Sequence, residues 1–170
     1  MITNTLLPTI RDEIFTDFMC DYINNPQLPF DTLERIKSEN PHAYDHINMV
    51  TREYEEYKKL ALVCGASIYS LLEQTGEIPF IEEETLELFS AEIKTPGYAG
   101  KLLKKLESEN KVILTLLAVF DYKSSPKEPM KCMGLNLYGL LKTQAKKNLF
   151  AKFETKETDQ KSELENKIIN

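Results

Sequence analysis

Cysteine is scarce: the 170 residues hold three, Cys20, Cys64 and Cys132, far apart and in no C-x-x-C pair. An odd, scattered set excludes a disulfide framework and a cysteine zinc site, and makes a reducing cytoplasm the expected location. No apolar run reaches the ~18 residues that span a bilayer, so no membrane partner is expected. The opening MITNTLLPTIRDE lacks a basic n-region and a long h-region, so a secretory signal is not expected either. No P-loop, G-x-G-x-x-G, G-x-S-x-G or H-E-x-x-H occurs. Arginine stops at Arg52, which leaves every later cation a lysine.

What is present is a globular composition, 42% apolar and 28% charged. A chain of this length suits one compact domain, or one domain with an appendage. The net charge of −6 first argues against a polyanion partner, but the charge is uneven. Residues 1–93 carry 6 Lys and Arg against 18 Asp and Glu, a balance of −12. Residues 94–152 carry 12 Lys against 4 acids, a balance of +8, and residues 153–170 carry 3 Lys against 5 acids, a balance of −2. An acidic part joined to a basic part points to polyanion binding by the basic one. Lysines on solvated helix faces give the same split without any such role.

The spacing predicts helices over residues 9–24, a short one opened by Asp31 as N-cap, and 82–93 and 98–107. The clearest element is a helix over 41–75. Ile47, Val50, Tyr54, Tyr57, Ala61, Cys64, Ile68, Leu71 and Thr75 fall on alternating steps of 3 and 4 residues, which are heptad a and d positions. Straight, it would be about 50 Å long, more than a domain of this size spans. It is therefore expected either to bend, near Gly65, or to project as a dimerisation helix; an ordinary core helix with one apolar stripe is the alternative. KVILTLLAVFDY, residues 111–122, fits a helix stripe or a long buried strand, and periodicity does not decide between them.

Residues 82–153 can be read as helix, tight turn, helix, strand, loop, strand, helix. FSAEIKTPGYAGKLLKKLESENKVI resembles the recognition unit of MarR-like winged helix-turn-helix regulators. Thr95 matches the helix-opening position, and Leu103 and Leu106 the inward leucines. Asn110 stands at the usual glycine, where a left-handed helix stop is expected. Val112 and Ile113 begin the first wing strand, KSSPKEP is the wing tip, and GLNLYGLL leads into the final helix. The pattern departs from the family at Lys94, where an apolar residue is usual, and in its lack of Arg, the commonest guanine reader. The resemblance implies that Thr95, Tyr98, Lys101, Lys104 and Lys105 face DNA and that Lys123, Lys127 and Lys131 are wing contacts. Lysine alone suits phosphate contact with strong salt dependence. The rival structural reading makes 96–122 one long helix and 130–153 another, an all-α bundle.

Candidate chemistry is sparse. His42 and His46 stand at i, i+4 beside Glu39, Asp45 and Glu53, a spacing that can hold a metal. Pro41 puts His42 in a first helical turn, so two polar residues on an exposed helix start are the expectation, with no metal. Cys64 falls in the heptad stripe and reads as a core thiol. No catalytic residue and no cofactor is expected.

The expected fold is thus mainly α: an N-terminal long-helix region plus a C-terminal winged helix-turn-helix, with an all-α helical bundle as the alternative. The expected division is 1–79, acidic and helical, for oligomerisation or interaction; 80–153, the basic winged-helix domain; and 154–170, a charged tail. The expected function is that of a cytosolic DNA-binding regulator, a homo-oligomer through its long helices. The alternative is an all-α adaptor, of viral or mobile-element origin among the options, offering its acidic face to a basic protein partner.

Overall fold

The computed structural model describes residues 7–53, 55–124 and 129–169, and among them every regular element is helical. The order is α1 (Asp12–Asn24), α2 (Leu28–Glu39), α3 (Pro41–Arg52), a 3-10 turn at Glu55–Tyr57, α4 (Lys58–Thr75), α5 (Glu83–Glu92), α6 (Tyr98–Glu109), α7 (Lys111–Ser124) and α8 (Pro129–Ile169). Local chemistry explains the starts. Prolines occupy the first turns of α2 and α3, where no backbone N–H is missed. Glu83 and Glu84 sit in the first turn of α5, facing the positive end of its dipole. Gly97 takes φ 82°, a left-handed turn that only glycine makes without strain, and launches α6. Asp31 lies inside the first turn of α2, which opens at Leu28, so it is not the expected N-cap.

The ambiguous stretch resolves as helix. Residues 111–124 form α7, with Val112, Ile113, Leu116, Leu117 and Phe120 buried at helical spacing against α8. The two wing strands are therefore absent from the described residues, and most of the KSSPKEP tip, with Lys127, lies outside them. The rival single helix over 96–122 does not form either. Asn110 (φ −151°, ψ 68°) separates α6 from α7, and its negative φ is not the expected left-handed stop. Nor is 41–75 one rod. α3 ends at Arg52 and α4 starts at Lys58, so the stripe is not bent at Gly65, and both of its ends fold onto the same core. Ile47, Val50, Ala61, Cys64, Ile68 and Leu71 are buried within this chain, Tyr57 is half-buried, and Tyr54 lies outside the described residues. The stripe serves the chain's own core. That core runs across position 79/80, because α3 and α4 pack directly on α8.

The bundle repeats one pattern twice. Pro8–Thr9–Ile10 precedes α1 as Pro79–Phe80–Ile81 precedes α5, and buried Phe18 and Phe89 take the same place in α1 and α5. The α2–α3 joint reads Ser38–Glu39–Asn40, and the α6–α7 joint reads Ser108–Glu109–Asn110. CGASIYSLL in α4 corresponds to MGLNLYGLL in α8. The contacts agree with this register. A methyl group on Gly65 would press on Ile47, and one on Gly134 would press on Leu117, the residue equivalent to Ile47.

The halves also clasp each other reciprocally. Asn40 accepts a hydrogen bond from the N–H of Ile81 (2.9 Å) and donates to the carbonyl of Pro79 (3.0 Å). Asn110 accepts from the N–H of Ile10 (3.1 Å) and donates to the carbonyl of Pro8 (2.7 Å). Each half thus holds the leading P-x-I segment of the other, satisfying buried backbone groups that would otherwise be costly.

Candidate functional site

The chemistry-bearing surface lies in the C-terminal half, where α5, α6 and α8 meet around a cavity of about 460 Å³. Gly139 lets these helices approach, since a side chain there would collide with Leu102 of α6 and Phe89 of α5. The cavity walls are apolar: Leu88 of α5, Leu102 of α6 and Phe150 of α8. Its margin is mostly cationic, with Glu92 of α5 as the acid among five lysines. Lys101 and Lys105 come from α6, and Lys142, Lys146 and Lys147 come from successive turns of α8.

The lysines differ in what holds them. Lys142 is largely buried and donates to both carboxylate oxygens of Glu109, at 2.6 and 2.8 Å. Tyr138 Oη donates to the same carboxylate at 3.3 Å. Burial, then the neighbouring Glu109 charge, pushes the Tyr138 hydroxyl up, so it remains a donor. Lys147 bridges to Glu82 (2.5 Å) and Glu84 (3.2 Å), and those hydrogen bonds raise its pKa. Lys101, Lys105 and Lys146 have no acidic partner among the described residues.

Of the expected DNA contacts, Tyr98, Lys101 and Lys105 come together at this groove. Tyr98 differs from the expectation: it is half-buried, packs edge-on to Phe89 (6.3 Å between centroids) and donates to Glu92 Oε2 at 3.3 Å. Its hydroxyl is raised by burial first and Glu92 second. Lys104 is exposed on α6 outside the groove lining, and Thr95 is exposed in the turn before α6 rather than opening it. Lys131 is half-buried in the first turns of α8 and Lys123 lies in the last turn of α7, so neither stands on a wing. Phe150, Leu88 and the groove lysines of α8 (Lys142, Lys146 and Lys147) stand outside the residues to which the sequence points. The expected 130–153 helix already sets Lys142, Lys146 and Phe150 at i, i+4 and i+8, on one face.

Elsewhere the candidates belong to the core. His46 is buried, not exposed, and its ring meets Phe89 edge-on at 5.7 Å. Burial pushes its pKa from 6.5 to about 4 and keeps it neutral. His42 is half-buried one turn earlier, and among the described residues no cluster of three potential metal ligands occurs. Cys64 is fully buried, and its thiol is pushed up by burial. Among the described residues no helix is long and apolar enough to cross a membrane. No family model matches the chain, and neither does any curated protein or solved structure.

Proposed function

We propose that the protein is a non-catalytic helical adaptor whose C-terminal half docks an acidic protein partner on the face built by α6 and α8. One observation carries this reading: Lys101, Lys105 and Lys146 line an apolar groove without an ion pair to any described residue, and the acid that lines it with them, Glu92, accepts from Tyr98 instead. Cations held unpaired beside apolar surface favour a partner that brings carboxylates. The N-terminal half, with 6 Lys and Arg against 13 Asp and Glu over residues 1–78, a balance of −7, repels such a partner and restricts docking to one side of the molecule. The test is a titration with polyglutamate at low salt, read by calorimetry. Saturable binding that weakens with added salt supports the reading, and no heat at high protein concentration would sink it.

A second reading has its own observation. Lys101, Lys104 and Lys105 are all exposed on a helix that follows a tight turn after α5. Such a helix can lay its lysines along DNA phosphates without a wing. A mobility-shift titration with duplex DNA separates the two. A DNA complex with a log–log salt slope of about −3, and no polyglutamate binding, would favour DNA over the acidic protein.

A further inference from the structure

The groove has more apolar surface than its cations need. Leu88 is 50% exposed and Phe150 57% exposed, and they stand on two different helices that line it. A small anion filling the cavity would leave the outer faces of both in water. Duplex DNA would cover them with nothing apolar. Exposed apolar residues beside a cavity and rimmed by charge mark a surface that a larger chain covers.

The shape narrows the partner further. The α6 contribution runs from Tyr98 to Lys105 and the α8 contribution from Lys142 to Phe150, each about two helical turns or roughly 11 Å. No strand edge borders the groove among the described residues, so an extended peptide finds no backbone to pair with. A helix laid between two helices does not need one. From this geometry we infer that the groove receives an acidic amphipathic helix of another protein. Its apolar residues, at i, i+3 or i+4 and i+7, cover Leu88, Leu102 and Phe150. Its flanking carboxylates pair with Lys101, Lys105 and Lys146. The inference rests on the adaptor reading above and names its partner's chemistry.

Charge reversal between the two halves is an independent support. In the N-terminal half the position of Lys105 is Arg35, which donates to Glu73 at 2.5 and 2.6 Å and to Glu39 at 3.1 Å. The residue equivalent to Glu73 is Lys142, and it takes the acid equivalent to Glu39, namely Glu109, for itself. Lys105 is left with no carboxylate. The same helix corner that is closed by an ion pair in one half is an unneutralised cation in the other.

The experiment is fluorescence anisotropy on the full chain. The probe is a labelled Leu/Glu amphipathic peptide of about 18 residues, about 27 Å as a helix. A scrambled peptide of the same composition and polyglutamate serve as competitors. Micromolar binding of the amphipathic peptide is expected, at least ~10-fold weaker in the Lys101→Glu/Lys105→Glu double variant and in Phe150→Ala. All three positions are exposed, so circular dichroism of the variants should match the parent. If the scrambled peptide or polyglutamate competes equally well, the inference is overturned and the adaptor reading stands. If neither the peptide nor polyglutamate binds, both fall. If the chain self-associates in sedimentation through Phe150 and the peptide does not compete, the occupant is a second copy and the inference is overturned.

Discussion

The N-terminal and C-terminal halves share an element order, a P-x-I leader, an S-E-N joint and a glycine-tyrosine helix, yet they present opposite electrostatics. Asp31, Glu34 and Glu73 in the first correspond to Lys101, Lys104 and Lys142 in the second. The apolar and joint positions are nearly superimposable in chemistry: Ile36 with Leu106, Ile47 with Leu117, Tyr69 with Tyr138, Leu71 with Leu140. What must be packed is repeated, and what faces water has diverged. The halves differ where they meet water, not where they pack. That difference points to the lysine-rimmed groove rather than to the buried heptad stripe.

The largest test of that correspondence is at the joints. Asn40→Ala would orphan the buried N–H of Ile81 and carbonyl of Pro79, and Asn110→Ala would orphan those of Ile10 and Pro8. Each variant should lose about 4 kcal/mol, from one buried N–H and one half-buried carbonyl left unpaired. For a chain of this size that lowers the melting temperature by roughly 8–16 °C. The two losses should be similar. A joint variant that melts like the parent in calorimetry would break the comparison.

A buried histidine gives the next largest effect. His46 occupies the place that Leu116 holds in the other half, and its pKa is lowered from 6.5 to about 4 by burial. The neutral ring is favoured in the folded state, so the proton binds the unfolded chain first. Stability from this residue is full above pH 6.5 and is lost as pH falls towards 4. Across that window the parent should lose about 3 kcal/mol more than His46→Leu. The control cancels the carboxylates that titrate in the same range. Denaturant melts at neutral and acid pH measure the difference, and parallel losses in both proteins would contradict it.

Much of the helical layout was legible in the sequence, because α5, α6 and the stripe of α3 and α4 follow plain helical periodicity. Three features were not. Residues 111–122 carry apolar side chains at nearly every position, which hides their period, and only packing on α8 decides for a helix. Asn40 and Asn110 look like ordinary helix-stop residues; their role appears once Ile81 and Ile10 are brought to them from another part of the chain. The groove was half legible. The α6 lysines stand out as a basic helix, but the groove lysines of α8 and Phe150, inside the expected 130–153 helix, gain a role only when α8 packs beside α5 and α6. The repeat itself was readable in S-E-N and in the two G-x-x-[IL]-Y-x-L-L segments. Charge reversal disguises the positions between them.

Glycines at equivalent places should respond unequally. A methyl group on Gly134 lies too close to Leu117 for that side chain to stay where it is, whereas one on Gly65 meets Ile47 at 3.0 Å. Gly134→Ala should cost about 2 kcal/mol through overpacking. In Gly65→Ala the smaller displacement is offset by a helix-propensity gain of about 1 kcal/mol, leaving it near neutral. Urea midpoints check this, and equal costs would show that the two helices seat their partners alike.

The smallest effect sharpens the electrostatic half of the comparison. Glu73→Lys copies into α4 the residue that stands at position 142 of α8 and removes the carboxylate from Arg35. The pair is about a third exposed, at 38% and 34%, so solvent screens it and the loss should stay under about 1 kcal/mol. That loss should shrink further in high salt. Peptide binding at the C-terminal groove should not change. A new binding site appearing in the N-terminal half of this variant would mean that the cation pattern alone makes the site. Its absence would mean that the cavity framed by Leu88, Leu102 and Phe150 is needed as well, which is what the unequal halves imply.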